Sequence, residues 1–234
     1  MRAVLSLSCA AYLAGCVVTE TPPAPSVPDT TPHSNAAQSS TARLTTASIQ
    51  NVIRTVEPVA ERECRRRSPD LNCDFKIVFD TDPRKPPNAF QTLERSGRPV
   101  VGFTVSLLRT ARNVDEIAFV MGHETAHHIE RHLQRQQQSA VGGALIGGLG
   151  AAVLGLDPSV GRQIGGSVGA RVYSKDNELE ADALGTVIAA RAGFDPVRGA
   201  AFFTRIPDPG DRFLGTHPPN AQRISTVRRV ASQL

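Results

Sequence analysis

His123-Glu124-Thr125-Ala126-His127 is the stretch whose reading decides this chain. On a helix, residues four apart share a face. His123 and His127 can then grip one metal ion, with Glu124 beside them. This is the H-E-x-x-H arrangement of zinc hydrolases, in which the carboxylate serves as general base. Zinc at an open site lowers the pKa of its water from about 16 to about 7. The competing reading is a solvated helix with two incidental histidines. The flanking residues argue for a helix packed on a core: Asn113 is an N-cap candidate, with Glu116 as its capping-box partner. Ile117, Val120, Met121, Ile129 and Leu133 recur at helical spacing. The pattern predicts a helix to about Gln138, with His128 and His132 as solvated residues on it.

A catalytic zinc needs a third protein ligand and an open position. Ser174-Lys175-Asp176-Asn177-Glu178-Leu179-Glu180-Ala181-Asp182 offers it, on a helix read as starting at Ser174 and closed by Gly193. Glu178 can bind the metal, and Asp182, four residues on, can accept from the outer nitrogen of a ligand histidine. Glu180 points elsewhere in this reading and is solvated.

With these pieces in order, residues 43–230 resemble the zinc metalloendopeptidases that include the CAAX prenyl endopeptidases, the heat-shock protease HtpX and the outer-membrane-assembly protease BepA. The resemblance rests on Asn88-Ala89-Phe90, on Pro99 to Phe103 with Ser106-Leu107-Leu108, and on the His123–His127 helix. It also rests on Glu178-x-x-Ala181-Asp182, and on Thr216-His217-Pro218 followed by Arg223-Ile224. It implies one zinc ion held by His123, His127 and Glu178, in a gluzincin-type domain. It implies that Val100, Val101, Gly102 and Phe103 form an edge strand beside the zinc, where an extended peptide adds by main-chain hydrogen bonds. It places His217 near the metal, as an oxyanion donor or as a fourth ligand that keeps the site latent. It assigns Arg223 to the oxyanion or to the orientation of its loop. The transmembrane bundles and helical repeats of those relatives have no counterpart in this reading, so their modes of substrate recruitment do not carry over.

The remaining chain sets the expected compartment. Arg2 and apolar residues 3–13 precede Leu13-Ala14-Gly15-Cys16, which reads as a lipobox. The apolar run is too short to span a bilayer. Residues 1–15 are therefore expected to be a lipoprotein signal, and Cys16 the lipidated residue. Residues 16–42, dense in Pro, Thr and Ser, read as a disordered tether to the envelope membrane, and 43–234 as the peptidase domain. Cys64 and Cys73 are expected to form a disulfide, since the periplasm permits one; free thiols or a metal pair are the alternatives. A net charge of +4 with no aromatic interleaving gives no nucleic-acid signal. Residues 136–156 carry no charge and many glycines, and are expected to be a buried or flexible connection rather than a span.

The fold expectation is a mainly helical α+β domain. A first helix covers Thr46 to Arg66, with Ile49, Val52, Ile53, Val56 and Ala60 inward and a kink at Pro58. Strands at Phe75–Phe79 and Val100–Val105 share a small sheet. The functional expectation is a periplasmic zinc endopeptidase acting on unfolded or misassembled envelope proteins. The rivals are an assembly factor or chaperone with structural zinc, and a peptidase restricted to short peptides. Oligomeric state is open.

Overall fold

The computed structural model describes residues 44–205 and 219–234. The expected signal and tether, with Cys16, and His217 lie outside them. Helix α1 (Thr46–Arg67) begins with a reciprocal cap: the Ser48 amide donates to the Thr45 hydroxyl at 3.0 Å, and the Thr45 amide donates to the Ser48 hydroxyl at 2.9 Å. Its inward stripe is Val52, Val56, Val59, Ala60 and Cys64, while Ile49 and Ile53 are only half-buried. The helix continues through Pro58, which lies on the exposed side. A disulfide joins Cys64 to Cys73, as expected, and ties the end of α1 to the entry of the sheet.

The sheet has three strands: β1 (Lys76–Asp80), β2 (Ala89–Leu93) and β3 (Pro99–Thr104). Their order is β1-β3-β2, with β3 parallel to β1 and antiparallel to β2. This corrects the placement of Val100, Val101, Gly102 and Phe103 at an edge: they are on the central strand, paired on both sides. The physical signal was present. All six residues of β3 are buried, and an unbroken apolar run marks a strand covered on both faces rather than an edge. Phe90 faces Gly102 across the pair, and a Cβ at Gly102 would sit 2.2 Å from its ring. Of the described strands, β2 is the edge on this side.

A short helix α2 (Val105–Thr110) leads to α3 (Val114–Ile129), whose predicted N-cap is found: the Glu116 amide donates to Asn113 Oδ1 at 3.0 Å. Glu116 accepts from the Arg112 backbone amide at 2.8 Å and from the Asn113 side-chain amide at 3.4 Å, not from the Asn113 backbone N–H. The helix does not run to Gln138. It stops at Ile129, and Arg131 adopts a left-handed conformation with φ 58° before α4 (His132–Val153) starts. Helix α5 (Pro158–Arg191) starts well before Ser174, capped by Asp157 on the Ser159 amide, so the N-cap reading of Ser174 is also corrected. Gly193, at φ +84°, closes it as expected.

Between residues 141 and 164, α4 and α5 form a hairpin. Its Val141, Leu145, Ile146, Leu149, Val153 and Leu156 are exposed, which excludes the buried form of the expected buried or flexible connection. No described helix is long and apolar enough to cross a membrane. Helix α6 (Pro196–Ala200), a 3-10 turn at Ala201–Thr204 and α7 (Asn220–Ala231) complete the domain. The core gathers Phe75, Phe103, Phe119, Met121, Ile188 and Val227 between α1, the sheet, α3 and α5.

Candidate metal centre

Helices α3 and α5 meet at two glycines. A Cβ on Gly122 would lie 2.8 Å from the Gly185 carbonyl, and one on Gly185 would lie 2.8 Å from the His123 amide nitrogen. With no side chain between them, the backbones approach closely enough for short side chains to share a site. His123 and His127 from α3 meet Glu178 from α5 there. The two Nε2 atoms are 3.0 Å apart; Glu178 lies 3.6 Å from His123 Nε2 and 3.4 Å from His127 Nε2. Donors bonded at about 2.0–2.1 Å to one tetrahedral zinc stand about 3.3–3.4 Å apart. The observed spacing and the two-nitrogen, one-carboxylate donor set fit that ion. Among the described residues this is the group of His, Cys, Asp and Glu able to hold a metal.

Both histidines are held from behind. Asp182, fully buried, lies 2.9 Å from His123 Nδ1 through Oδ1. Burial opposes ionisation of Asp182, but hydrogen bonds from Arg223 and His123 hold its carboxyl below the usual range. Arg223 Nη2 lies 3.3 Å from Glu178. The Arg223 side chain is buried, donates to both Asp182 oxygens at 2.8 and 2.7 Å, and stacks 3.9 Å from the Phe203 ring centroid. Burial and the neighbouring His123 pull the His127 pKa down to about 3, so at neutral pH it offers a lone pair.

Two histidines expected in solvent are not there. His128 is buried, with Nε2 2.8 Å from the Asn72 carbonyl and its ring edge-on to Phe75. His132 is also buried, with Nδ1 2.7 Å from Nδ1 of His127. Glu180 is half-exposed but not idle: it accepts from His132 at 3.2 Å and pairs with Arg135. No sequence signal marked His132 for the site, because the break at Arg131 that turns it back is made by a residue with no preference for left-handed backbone.

A cleft of about 190 Å³ opens in front, lined by Glu124, His127, Glu178, His132, Gln136, Gln91 of β2 and Asn177 of α5. Glu124 therefore shares the cleft with His127 and Glu178. Asn177, 5 % exposed, has an Oδ1 with no hydrogen-bond partner among the described residues, and Gln91 brings the sheet edge to the same opening. Sequence reading singled out neither.

Fold and donor set define a metal centre of the H-E-x-x-H plus Glu type, built on two helices. Residues 46–231 match the model of peptidase family M48, and the chain belongs to that family. It is 33 % identical over 141 residues to the putative β-barrel assembly-enhancing protease of Vibrio cholerae, covering 53 % of this chain and 29 % of that protein. The β-barrel assembly-enhancing protease of Escherichia coli is 30 % identical over 145 residues, or 55 % of this chain and 30 % of the relative. The mitochondrial metalloendopeptidase OMA1 of Saccharomyces cerevisiae is 30 % identical over 165 residues, 66 % and 46 % respectively. The match thus spans less than half the length of each of these relatives.

Proposed function

We propose that the chain is a zinc endopeptidase of the bacterial cell envelope, anchored through lipid on Cys16 and hydrolysing unfolded or misassembled proteins. The observation that carries this reading is Glu124 in the same cleft as His127 and Glu178. A purely structural zinc site has use for ligands and none for a general base. Zinc held by His123, His127 and Glu178 supplies Lewis acidity for the scissile carbonyl and makes water acidic near neutral pH. Glu124 takes the proton of the attacking water on its carboxylate and hands it to the leaving amine. His123 and His127 keep their outer nitrogens bonded, so their rings stay aimed while charge shifts. The outer edge of β2 offers main-chain groups to an extended substrate, with Gln91 and Asn177 as side-chain donors or acceptors. Such binding reads backbone, which suits unfolded chains of varied sequence. The names of the bacterial relatives point to assembly of β-barrel proteins, and the lipobox reading places the domain on the periplasmic side.

The test is Glu124→Gln, with zinc content and cleavage of an unfolded protein measured together. Zinc should remain, and the rate should fall on the order of 10²–10⁴. Full cleavage by the Gln protein sinks the mechanism. Zinc-dependent binding of unfolded protein without cleavage, in the unmodified chain, favours the assembly-factor reading.

A further inference from the structure

His132 is neither a metal ligand nor the base of the mechanism above, yet it is buried against His127. Its position is a product of the chain break. On one continuous helix, residues five apart point about 140° away from each other. The end of α3 at Ile129 and the left-handed Arg131 restart the chain so that the first residue of α4 faces back towards His127. The rings then meet nearly perpendicular, with centroids 4.8 Å apart and the two Nδ1 atoms 2.7 Å apart.

Proton positions follow from partners. At 2.7 Å one of the two nitrogens donates. Nε2 of His127 faces His123 Nε2 and Glu178, where its lone pair is needed for a metal. The His127 proton is therefore on Nδ1, and His132 Nδ1 accepts it. The His132 proton is then on Nε2, 3.2 Å from Glu180 Oε2, and Glu180 is itself paired with Arg135. The opposite tautomer of His132 would make it the donor, move the His127 proton to Nε2 and block the ligand position. Glu180 disfavours that state by accepting on the far side.

We propose that His132, backed by Glu180 and Arg135, is a positioning residue that fixes the tautomer and ring orientation of the metal ligand His127. The centre then has two matched arms. His123 is held by Asp182 and Arg223, and His127 by His132, Glu180 and Arg135. Residues 178, 180 and 182 of α5 supply the ligand and one carboxylate for each arm. The second arm differs from the first in having a neutral acceptor next to the ligand and its carboxylate half-exposed at the rim of the cleft. This inference rests on the reading of His123, His127 and Glu178 as zinc ligands.

The test uses the full chain with His132→Phe, His132→Asn and Glu180→Ala. Phe keeps a ring but has no acceptor. Asn places an oxygen where Nδ1 was. Zinc dissociation constants are measured by chelator competition, alongside the visible spectrum of the cobalt-substituted protein and the melting temperature of the metal-free protein. Loss of an outer partner of a ligand histidine weakens metal binding about 10–100-fold. The Phe protein should fall in that range with an altered cobalt spectrum, and Asn should recover most of the affinity. Glu180→Ala should weaken zinc by about 3-fold or more, since the tautomer is left free. A merely structural His132 would lower the metal-free melting temperature and leave zinc affinity alone. Zinc affinity within twofold of the unmodified chain for Phe, or for Glu180→Ala if the Phe protein does not fold, overturns the proposal. If the unmodified chain itself binds no zinc, it is the ligand reading that fails, a result separable from any variant.

Discussion

Arg223→Met probes a buried ion pair beside the candidate metal centre. Arg223 and Asp182 are both buried, joined by two hydrogen bonds of 2.8 and 2.7 Å, and Arg223 Nη2 is also 3.3 Å from Glu178. An exposed pair of this kind contributes about 0–1 kcal/mol. Here the substitution leaves the fully buried Asp182 carboxylate with His123 as its main partner, and removal of one partner of a buried pair costs about 3–5 kcal/mol. Methionine fills much of the volume over Phe203, so the loss reports charge rather than a cavity. For a domain of this size each kcal/mol corresponds to about 2–4 °C. The metal-free protein should therefore melt about 6–20 °C lower. The assay is chemical and thermal unfolding in excess chelator, so that altered zinc affinity does not enter. A second arm combines Arg223→Met with Asp182→Asn, which removes the stranded charge. The double variant should be more stable than the two single losses added together. A loss below about 1 kcal/mol for Arg223→Met, or strict additivity in the cycle, would refute the reasoning.

Gly185→Ala puts a methyl 2.8 Å from the His123 amide, so α3 and α5 must part; about 1–3 kcal/mol and much of the zinc affinity should be lost, as read by unfolding and chelator competition. Glu63, buried among Arg66, Arg67 and Arg191, has a pKa that burial raises but these partners lower overall, so its stabilising effect is present above the unfolded carboxylate range and lost as pH falls through the folded pKa. The stability gap between the unmodified chain and Glu63→Gln should thus be full at pH 7 and close on acidification; a gap that widens in acid contradicts the sign. Reduction of Cys64–Cys73 should remove about 2–3 kcal/mol without releasing zinc, and ready thiol labelling of the native, unreduced protein would count against it. His217→Ala should raise basal cleavage if His217 keeps the site latent, and lower it by about 10²–10³ if it is an oxyanion donor; an unchanged rate and unchanged zinc affinity exclude both.

The clustering of His123, His127 and Glu178, with Asp182 behind His123, was readable from sequence because motif and spacing are local features. Spacings of four put His123 with His127, and Glu178 with Asp182, on common faces whatever surrounds them. The cap at Asn113, the glycine stop at Gly193 and the first helix were readable for the same local reason. What periodicity cannot express is which elements become neighbours. The central place of β3 depends on β1 and β2 pairing on either side of it, although its unbroken apolar run was a clue passed over. The meeting of α3 and α5 depends on Gly122 and Gly185 finding each other 63 positions apart, and glycine in a helix announces no partner. Arg223 was readable as part of a motif but not as the buried counter-charge of Asp182, a contact made across 41 positions. His132 is the sharpest case. Extending the helix through residue 131 sends it to solvent, and only the left-handed turn at Arg131, with Arg131 paired to Asp70, returns it to His127. A single backbone rotation at Arg131 decides whether that imidazole belongs to the surface or to the metal centre.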